Sequence, residues 1–517
     1  MPALASLSLD KSYAPYKINS QLDGGMLKIK SIHIIRWEIF VRTLIAFLVL
    51  TTLNTEASFK ELSKEFLREN ASVQNLLGNS LKADQGIKLV ESTLAARVDG
   101  GVSYVDNNSD SANDINFAAG RTTSLDLNFT KPTSWGGVFS LNNSFEKVIQ
   151  DPTRLRAFGG DPEIHQFIQT LSFSTSLTRN VLGKEFHLNF NRSLMNAEFV
   201  DLLSQNSVND LFLQFGRVYT SAVLNRELFN LQTEALARAN KRLTLVRRRV
   251  SDGISLKADL YRAESAKIFQ EEQLDQARQD YNQSLYTLSN LLHRTIVDAD
   301  LDEMSGIDPL MQAIIKNTSM AEKSSLLVNT KRRNADQLEI EKDLLSRSML
   351  PEVELSLGYQ TNDYDADSSN VFERGNIIGD KNTLSIGLTF SYNLGRISEK
   401  ARLREAVVNH NQALHELSAG VKEQSDKRVL LNSNIELSRS NKNKAKKRVA
   451  LSNSIIKEYV KLFSLGRVTL DQVIQAEEDL INSQRRLAQQ IVLNFNQKLE
   501  LVGLDYFLPN VITENKL

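Results

Sequence analysis

Two long stretches of the chain carry apolar residues at alternating steps of three and four. In the first, Leu236, Ala239, Leu243, Val246 and Val250 keep the step, which resumes after Gly253 through Leu260, Ala263, Leu274, Ala277, Tyr281, Ser284, Leu288 and Leu291. The second repeats it with Val449, Ser452, Ile456, Tyr459 and Phe463, then Val473, Ala476, Leu480, Ser483 and Leu487. A seam of period 3.5 belongs to helices that supercoil around neighbours, and Ala and Ser in the seam permit close approach. Glycine at each break fits the left-handed residue that closes a helix. Proline breaks helix interiors, and all eight prolines lie at 2, 15, 132, 152, 162, 309, 351 and 509, leaving 163–308 and 352–508 clear. A helix filling the window of ~70 residues from Arg396 to Leu465 is about 100 Å long.

A different pattern precedes each seam. Leu384, Ile386, Leu388, Phe390 and Tyr392 alternate with Ser385, Gly387, Thr389 and Ser391, and Val353, Leu355, Leu357 and Tyr359 with Glu354, Ser356 and Gly358. In the first half the same alternation marks Leu171–Leu177, Leu125–Phe129 and Phe139–Phe145. Period two is a two-faced strand. Segments of about ten residues, apolar on one face and small or polar on the other, suit a barrel wall between lipid and water, or a soluble sheet with one wet face. Asp106–Thr122 and Asn362–Asn382, rich in Asn, Asp, Ser and Gly, read as solvated loops.

The two halves correspond residue by residue. Gly253-Ile254-Ser255 and Gly466-Arg467 stand 213 positions apart, and at that offset Asp259 meets Gln472, Ala263 meets Ala476, Glu264 meets Glu477 and Leu288 meets Leu501. A unit so long exceeds the ~20–50 residues of stacked solenoid repeats and points to a duplicated half-molecule. The division expected is a signal peptide over 1–57, a first repeat over 58–300, a second over 301–508 and a tail over 509–517. Each repeat holds a leading helix (Phe59–Ala95; Pro309–Leu350), strands (Ala96–Leu177; 352–394) and a long hairpin (Gly183–Val250 returning to His293; helix to Leu465 returning to Leu504).

Composition narrows the class. Charge is balanced at 62 basic against 62 acidic residues, without the basic stripe of a nucleic-acid binder. Cysteine is absent, which excludes disulfides and Cys-ligated zinc. Lys28, Lys30, Arg36 and Arg42 precede the apolar run Thr43–Leu50, and Thr55-Glu-Ala57 follows: the layout of a secretory signal, with Met26 as an alternative start to Met1. A membrane anchor is the alternative, but the run is far below the ~20 residues of a spanning helix. The six histidines are scattered, and no phosphate-binding loop, dinucleotide fingerprint or nucleophile elbow is present, so neither an enzyme nor a cofactor is indicated.

The duplicated order of strands, long helix, glycine turn and return helix resembles the TolC-type outer-membrane efflux protein family over nearly the whole chain after Ala57. The resemblance rests on both turn motifs and on the strand-to-helix joins Leu177–Gly183 and Tyr392–Arg396. It implies a mixed α and transmembrane β fold: a trimeric outer-membrane β-barrel continuous with a long periplasmic α-helical coiled-coil barrel. It also implies a passive exit duct in a tripartite efflux or type I secretion system. The partners would be two further copies of the chain, outer-membrane lipid, a periplasmic adaptor (membrane fusion) protein and an inner-membrane pump of RND or ABC type. The family has two strands per half; the first half here carries extra ones.

The turns would form the periplasmic tip, with Gly253, Ile254, Ser255, Leu465 and Gly466 as adaptor-contact candidates. Asp259, Arg467, Asp471, Gln472 and Gln475 are the gate candidates. Relatives carry an acidic pair in the second turn that aligns with Gln472 and Gln475, while Asp471 stands one place earlier, about 100° around a helix. Losing that pair predicts weak cation selectivity and weak block by divalent ions. The competing reading is a periplasmic coiled-coil adaptor or structural protein, which would share the hairpins but not alternating strands in both halves. Cleavage after Ala57 is expected; the intact mass of the mature protein checks it, and retention of 26–57 would mean an anchored chain.

Overall fold

The computed structural model describes residues 59–108, 120–150, 163–318, 325–374 and 381–513. The expected signal peptide, with Met26, lies outside them. The described residues belong to one unit, Ala57–Leu517. In chain order the elements are α1 (Phe59–Glu69), α2 (Ala71–Ser92), β1 (Arg97–Asn107), β2 (Gly120–Pro132), β3 (Gly137–Gln150), β4 (Glu163–Ser176), α3 (Lys184–Ser251) and α4 (Lys257–Leu292). There follow α5 (Ile307–Thr318), α6 (Leu326–Ser348), β5 (Glu352–Asp365), α7 (Ser368–Arg374), β6 (Asn382–Ser391), α8 (Ile397–Ser464), α9 (Leu470–Asp505) and α10 (Leu508–Thr513).

Both predicted hairpins are present and match in size. The long helices α3 and α8 have 68 residues each, and the return helices α4 and α9 have 36 each. At 1.5 Å per residue the long helices span about 100 Å. Along α8 the buried face steps by seven through Ala406, Ala413 and Gly420, shifts by four to Gln424, and steps by seven again from Leu431 to Ser452. Heptads wind helices around one another, and four-residue stutters locally unwind that coil.

Each long helix is flanked first by a leading helix and then by its return helix. Gly86 of α2 lies against Ser193 of α3, and buried Gln232 of α3 donates to Gln270 of α4 at 2.6 Å. In the second half Ser325, before α6, donates to Gln424 of α8 at 2.6 Å, and Asn494 of α9 donates to Ser438 of α8 at 2.7 Å. The result is four helical columns: α3, α8, α2 followed by α4, and α6 followed by α9.

Where leading and return helices meet, the columns share the largest core. Phe59, Phe66, Phe212, Phe215, Tyr219 and Phe495 are fully or almost fully buried there, with Phe66 and Phe215 stacked at 4.9 Å. The first leading helix, expected to be continuous, is broken at Asn70. Its carboxamide accepts from the backbone N–H groups of Ser72 and Val73 and starts α2 afresh. The second is also two helices, with 319–324 between them outside the described residues. The stretch 509–517, expected as a C-terminal tail, overlaps α10, whose Leu508, Val511 and Ile512 are buried in the core. Asn209 holds it in place, accepting from the N–H of Leu508 at 2.9 Å and donating to the Gly503 carbonyl at 2.7 Å.

All six strands form one antiparallel sheet in the order β1-β2-β3-β4-β5-β6. The extra strands of the first half are therefore interior members of it. β1 opens the strand region expected from Ala96 and carries Asp99-Gly100-Gly101 near its start. The segments read as loops are shorter than expected: β1 and β2 claim both ends of 106–122, with 109–119 outside the described residues. Likewise β5 continues to Asp365 and α7 follows. Phe372 of α7 stacks on Phe145 at 4.9 Å and contacts Phe167 at 5.2 Å, and Val371 is buried, which seats a short helix against the sheet in what composition marks as loop.

The buried Tyr219 hydroxyl donates to Asp302 Oδ2 at 2.7 Å and accepts the Asp302 N–H at 2.8 Å, while the Phe59 N–H reaches the same carboxylate at 3.1 Å. Burial and the adjacent carboxylate push the Tyr219 hydroxyl up, so it stays protonated as a donor. Tyr219→Phe strands the Asp302 N–H and takes one of two donors from its carboxylate, and is expected to cost about 1–3 kcal/mol. Thermal unfolding checks this through a lowered midpoint.

Candidate functional site

Two regions hold the sequence-predicted features: the faces of the sheet and the tip formed by the two glycine turns. In a strand successive side chains point to opposite faces, and the pairing register extends this across all six strands. Val98, Phe129, Leu141, Leu171, Tyr359 and Leu384 form one transverse row. One residue along each strand the row reads Asp99, Asn128, Asn142, Thr170, Gln360 and Thr383, on the other face. The apolar face is open to its surroundings: Leu384, Ile386, Leu388 and Phe390 of β6 are 65–72% exposed in the single chain.

Charge bounds this apolar face at both ends. Lys131 lies on it near the helices, donating to the Leu94 carbonyl at 2.6 Å, beside Trp135, which packs on Phe173 at 5.4 Å. At the far end Arg121 pairs with Asp106 at 3.6 Å, Lys147 pairs with Glu163, and Asp363 receives both Arg374 at 2.9 Å and Lys381. Lys131 and Arg121 are ten residues apart on β2. Ten residues span about 34 Å along a strand, or about 26 Å of height at a tilt near 40°, which is the height of the apolar band of a membrane barrel.

At the tip both long helices end in the same backbone device. Gly253 (φ 71) donates to the Val250 carbonyl at 3.1 Å and Ile254 to that of Arg249 at 2.8 Å. Gly466 (φ 69) donates to Phe463 at 3.0 Å and Arg467 to Leu462 at 2.9 Å. This doubled closure needs a left-handed residue, which glycine adopts without a Cβ penalty. The candidate docking residues Ile254 and Leu465, exposed by 64% and 60%, project from these turns, while Ser255 accepts from Arg249 Nε at 3.1 Å.

The gate candidates do not come together as one cluster. Asp259 accepts from the Leu256 N–H at 3.3 Å, and Gln472 accepts from the Thr469 N–H at 2.9 Å while Thr469 Oγ1 accepts from the Gln472 N–H at 3.3 Å. Both thus occupy the third position of a return helix, where such side chains satisfy otherwise unpaired donors. Gln475 reaches Asp479 at 3.4 Å, and Arg467 is exposed at the second turn. Asp471 is paired, at 3.0 Å, with Arg262 of the other hairpin. Arg467 is not a partner of Asp259 among the described hydrogen bonds.

Three tip residues escaped the sequence reading. The Arg249 guanidinium lies 4.8 Å over the Phe463 ring, donates to the Phe463 carbonyl and bonds Ser255, so one side chain ties both turns. Arg262 is the second tie. The third is Arg242, which pairs with Glu477 across α3 and α9 with side chains only 5% and 10% exposed. The ties surround a small apolar core that includes Val246, Ala263, Phe463, Val473 and Leu480. The repeat did signal Glu477, as the counterpart of Glu264, which pairs with Arg247 at 3.1 Å. Among the described residues no group of three or more His, Cys, Asp or Glu is placed to hold a metal.

Burial separates the ties energetically. Glu477→Ala leaves a buried guanidinium without its partner, a loss of about 3–5 kcal/mol. Asp471→Asn breaks an exposed pair that contributes about 0–1 kcal/mol. Hydrogen exchange at both turns should accelerate by about 100-fold or more in the first variant and less than about 5-fold in the second.

No known family profile and no curated protein sequence matches the chain. Solved structures do. VceC from Vibrio cholerae, an outer membrane protein, superposes with a TM-score of 0.59 at 14% identity, over 86% of this chain and 95% of that one. The MtrE outer membrane channel of Neisseria gonorrhoeae, in its open state, gives 0.62 at 11% identity, over 86% and 88%. The CmeC outer membrane channel of Campylobacter jejuni gives 0.59 at 12% identity, over 88% and 86%. The chain has the fold of the TolC-type outer-membrane efflux channels.

Proposed function

We propose that the chain is the outer-membrane channel of an export system: a passive duct, three copies to a channel, built from a duplicated half-molecule. The observation that carries this is the two-faced sheet with two open edges, joined directly to two hairpins about 100 Å long. Among the described residues no helix is long and apolar enough to cross a membrane. Unpaired strand edges are not tolerated in lipid, and one copy has one at β1 and one at β6. A ring of copies pairs them. The alternative of a periplasmic coiled-coil adaptor has no use for an apolar sheet face bounded by charge at both ends.

In this reading the apolar face meets outer-membrane lipid, the polar face lines the duct, and the helices extend through the periplasm. The turns at Gly253 and Gly466, with Ile254, Ser255 and Leu465, face a periplasmic adaptor, and an inner-membrane pump of RND or ABC type supplies the energy. An efflux or a type I secretion partnership suits the same duct. Opening the tip requires the hairpins to separate, which breaks the ties at Arg249, Arg262–Asp471 and Arg242–Glu477. The membrane fraction tests the placement: the protein should stay with outer membranes through a carbonate wash, and release into the wash would favour the adaptor.

The gate has an electrical readout. Asp471 is the one candidate carboxylate held by a cation from the opposite hairpin, and pairing cancels its field in the duct. In planar bilayers Arg262→Gln should therefore raise cation preference and divalent block, because rings of carboxylates in a narrow pore favour cations. Asp471→Asn should lower cation preference. Equal selectivity in both variants would remove this pair from the conducting path.

A further inference from the structure

We propose that the membrane barrel of this channel has eighteen strands and keeps the bore of the helical tunnel, so that the duct does not narrow on entering the membrane. The inference rests on the three-copy reading above; what it adds is the width of the pore and hence the size of its cargo.

The strand number comes from the sheet. Each copy brings six strands, and the added pair β2 and β3 sits inside the order, joined to its neighbours by unbroken registers of 11, 13 and 13 residue pairs. Both strands carry the same apolar and polar rows as the rest. Removing them from the wall would open two further edges in lipid, each a run of unpaired backbone groups. An antiparallel sheet of six leaves β1 and β6 running in opposite senses, so β6 of one copy meets β1 of the next antiparallel. That is the head-to-tail contact a closed ring requires.

The base of the added hairpin is also fixed. Its turn, Thr133–Gly136, packs on the join between β4 and α3: a Cβ on Gly183 (φ 71) would lie 1.8 Å from the Ser134 carbonyl oxygen, and one on Gly136 would lie 2.6 Å from that of Asn180. Thr133 Oγ1 donates to the Gly137 carbonyl at 2.7 Å and accepts its N–H at 3.0 Å, closing the turn. The hairpin is seated as wall, with no helix of its own beneath it.

Circumference then gives the consequence. Strands ~4.8 Å apart and tilted by ~40° each occupy about 6.3 Å of the rim, so eighteen give ~113 Å and a backbone diameter near 36 Å. Four helical columns per copy make twelve in the ring, and at ~9–10 Å each they give ~108–120 Å. The two circumferences agree. Four strands per copy would close at ~75 Å, a diameter near 24 Å, and would pinch the duct at the membrane. The polar face carries mainly Ser, Thr, Asn, Gln and Gly, whose short side chains leave a clear bore of roughly 25 Å. That admits two α-helices side by side at ~10–12 Å each, so the cargo class extends to polypeptides with helical structure as well as small solutes.

Electron cryomicroscopy of the full chain, purified in detergent, tests this directly. Three copies around a closed eighteen-stranded barrel about 36 Å across are expected. Three copies around a twelve-stranded barrel near 24 Å, with β2 and β3 outside the wall, would overturn the inference and leave the export channel standing. Particles with no ring and no barrel would overturn both.

Discussion

A sheet that is apolar on one face, polar on the other and open at both edges has no resting place in a single medium. Water leaves the row from Val98 to Leu384 exposed, and lipid leaves the edges of β1 and β6 unpaired. The cost of an unpaired backbone group in hydrocarbon, several kcal/mol each, outweighs any local preference of these residues. Closure with other copies, with the apolar face outward, satisfies both demands at once. The rest of the architecture follows from holding such a wall over a long helical body.

That body is assembled by small residues more than by large ones. Ala406, Ala413, Gly420, Ser438, Ala445 and Ser452 are six of the ten buried residues of α8, which lets neighbouring helices approach closely along much of its length. Bulk is concentrated in two places, the aromatic core around Phe212 and Tyr219 and the smaller core at the tip. At the tip, charge crosses between hairpins where the apolar core is thin. A few pairs there hold the hairpins together, and in the proposed channel they are the contacts that opening would break.

Local chemistry was legible in the sequence; long-range partnership was not. Gly253 and Gly466 identify their turns because the left-handed closure is written in one residue, and β5 and β6 announce themselves by strict alternation. Asn70 hides a helix start because one polar residue in a helical stretch looks like surface. The alternation of β1 is weak because Gly100 falls on its apolar face, and pairing with β2 decides its conformation. Composition misread α7, whose Val371 and Phe372 find apolar neighbours only once the sheet exists. Arg262 and Asp471 lie 209 positions apart and Arg249 and Phe463 lie 214 apart, so no local pattern links them. Alignment on the turns found the third helical positions, Asp259 and Gln472, but in this chain their side chains begin helices.

In a channel of this kind the two faces of the sheet meet different media. The chain has no cysteine, so single cysteines placed from Thr383 to Ser391 can carry spin labels without background. In liposomes, the accessibility of labels to oxygen and to a water-soluble relaxation agent should alternate residue by residue. Labels at Leu384, Ile386 and Leu388 should favour oxygen, and those at Ser385, Gly387 and Thr389 the aqueous agent. Accessibility to the aqueous agent at every position, without alternation, would place the sheet in water and rule out a lipid-facing wall.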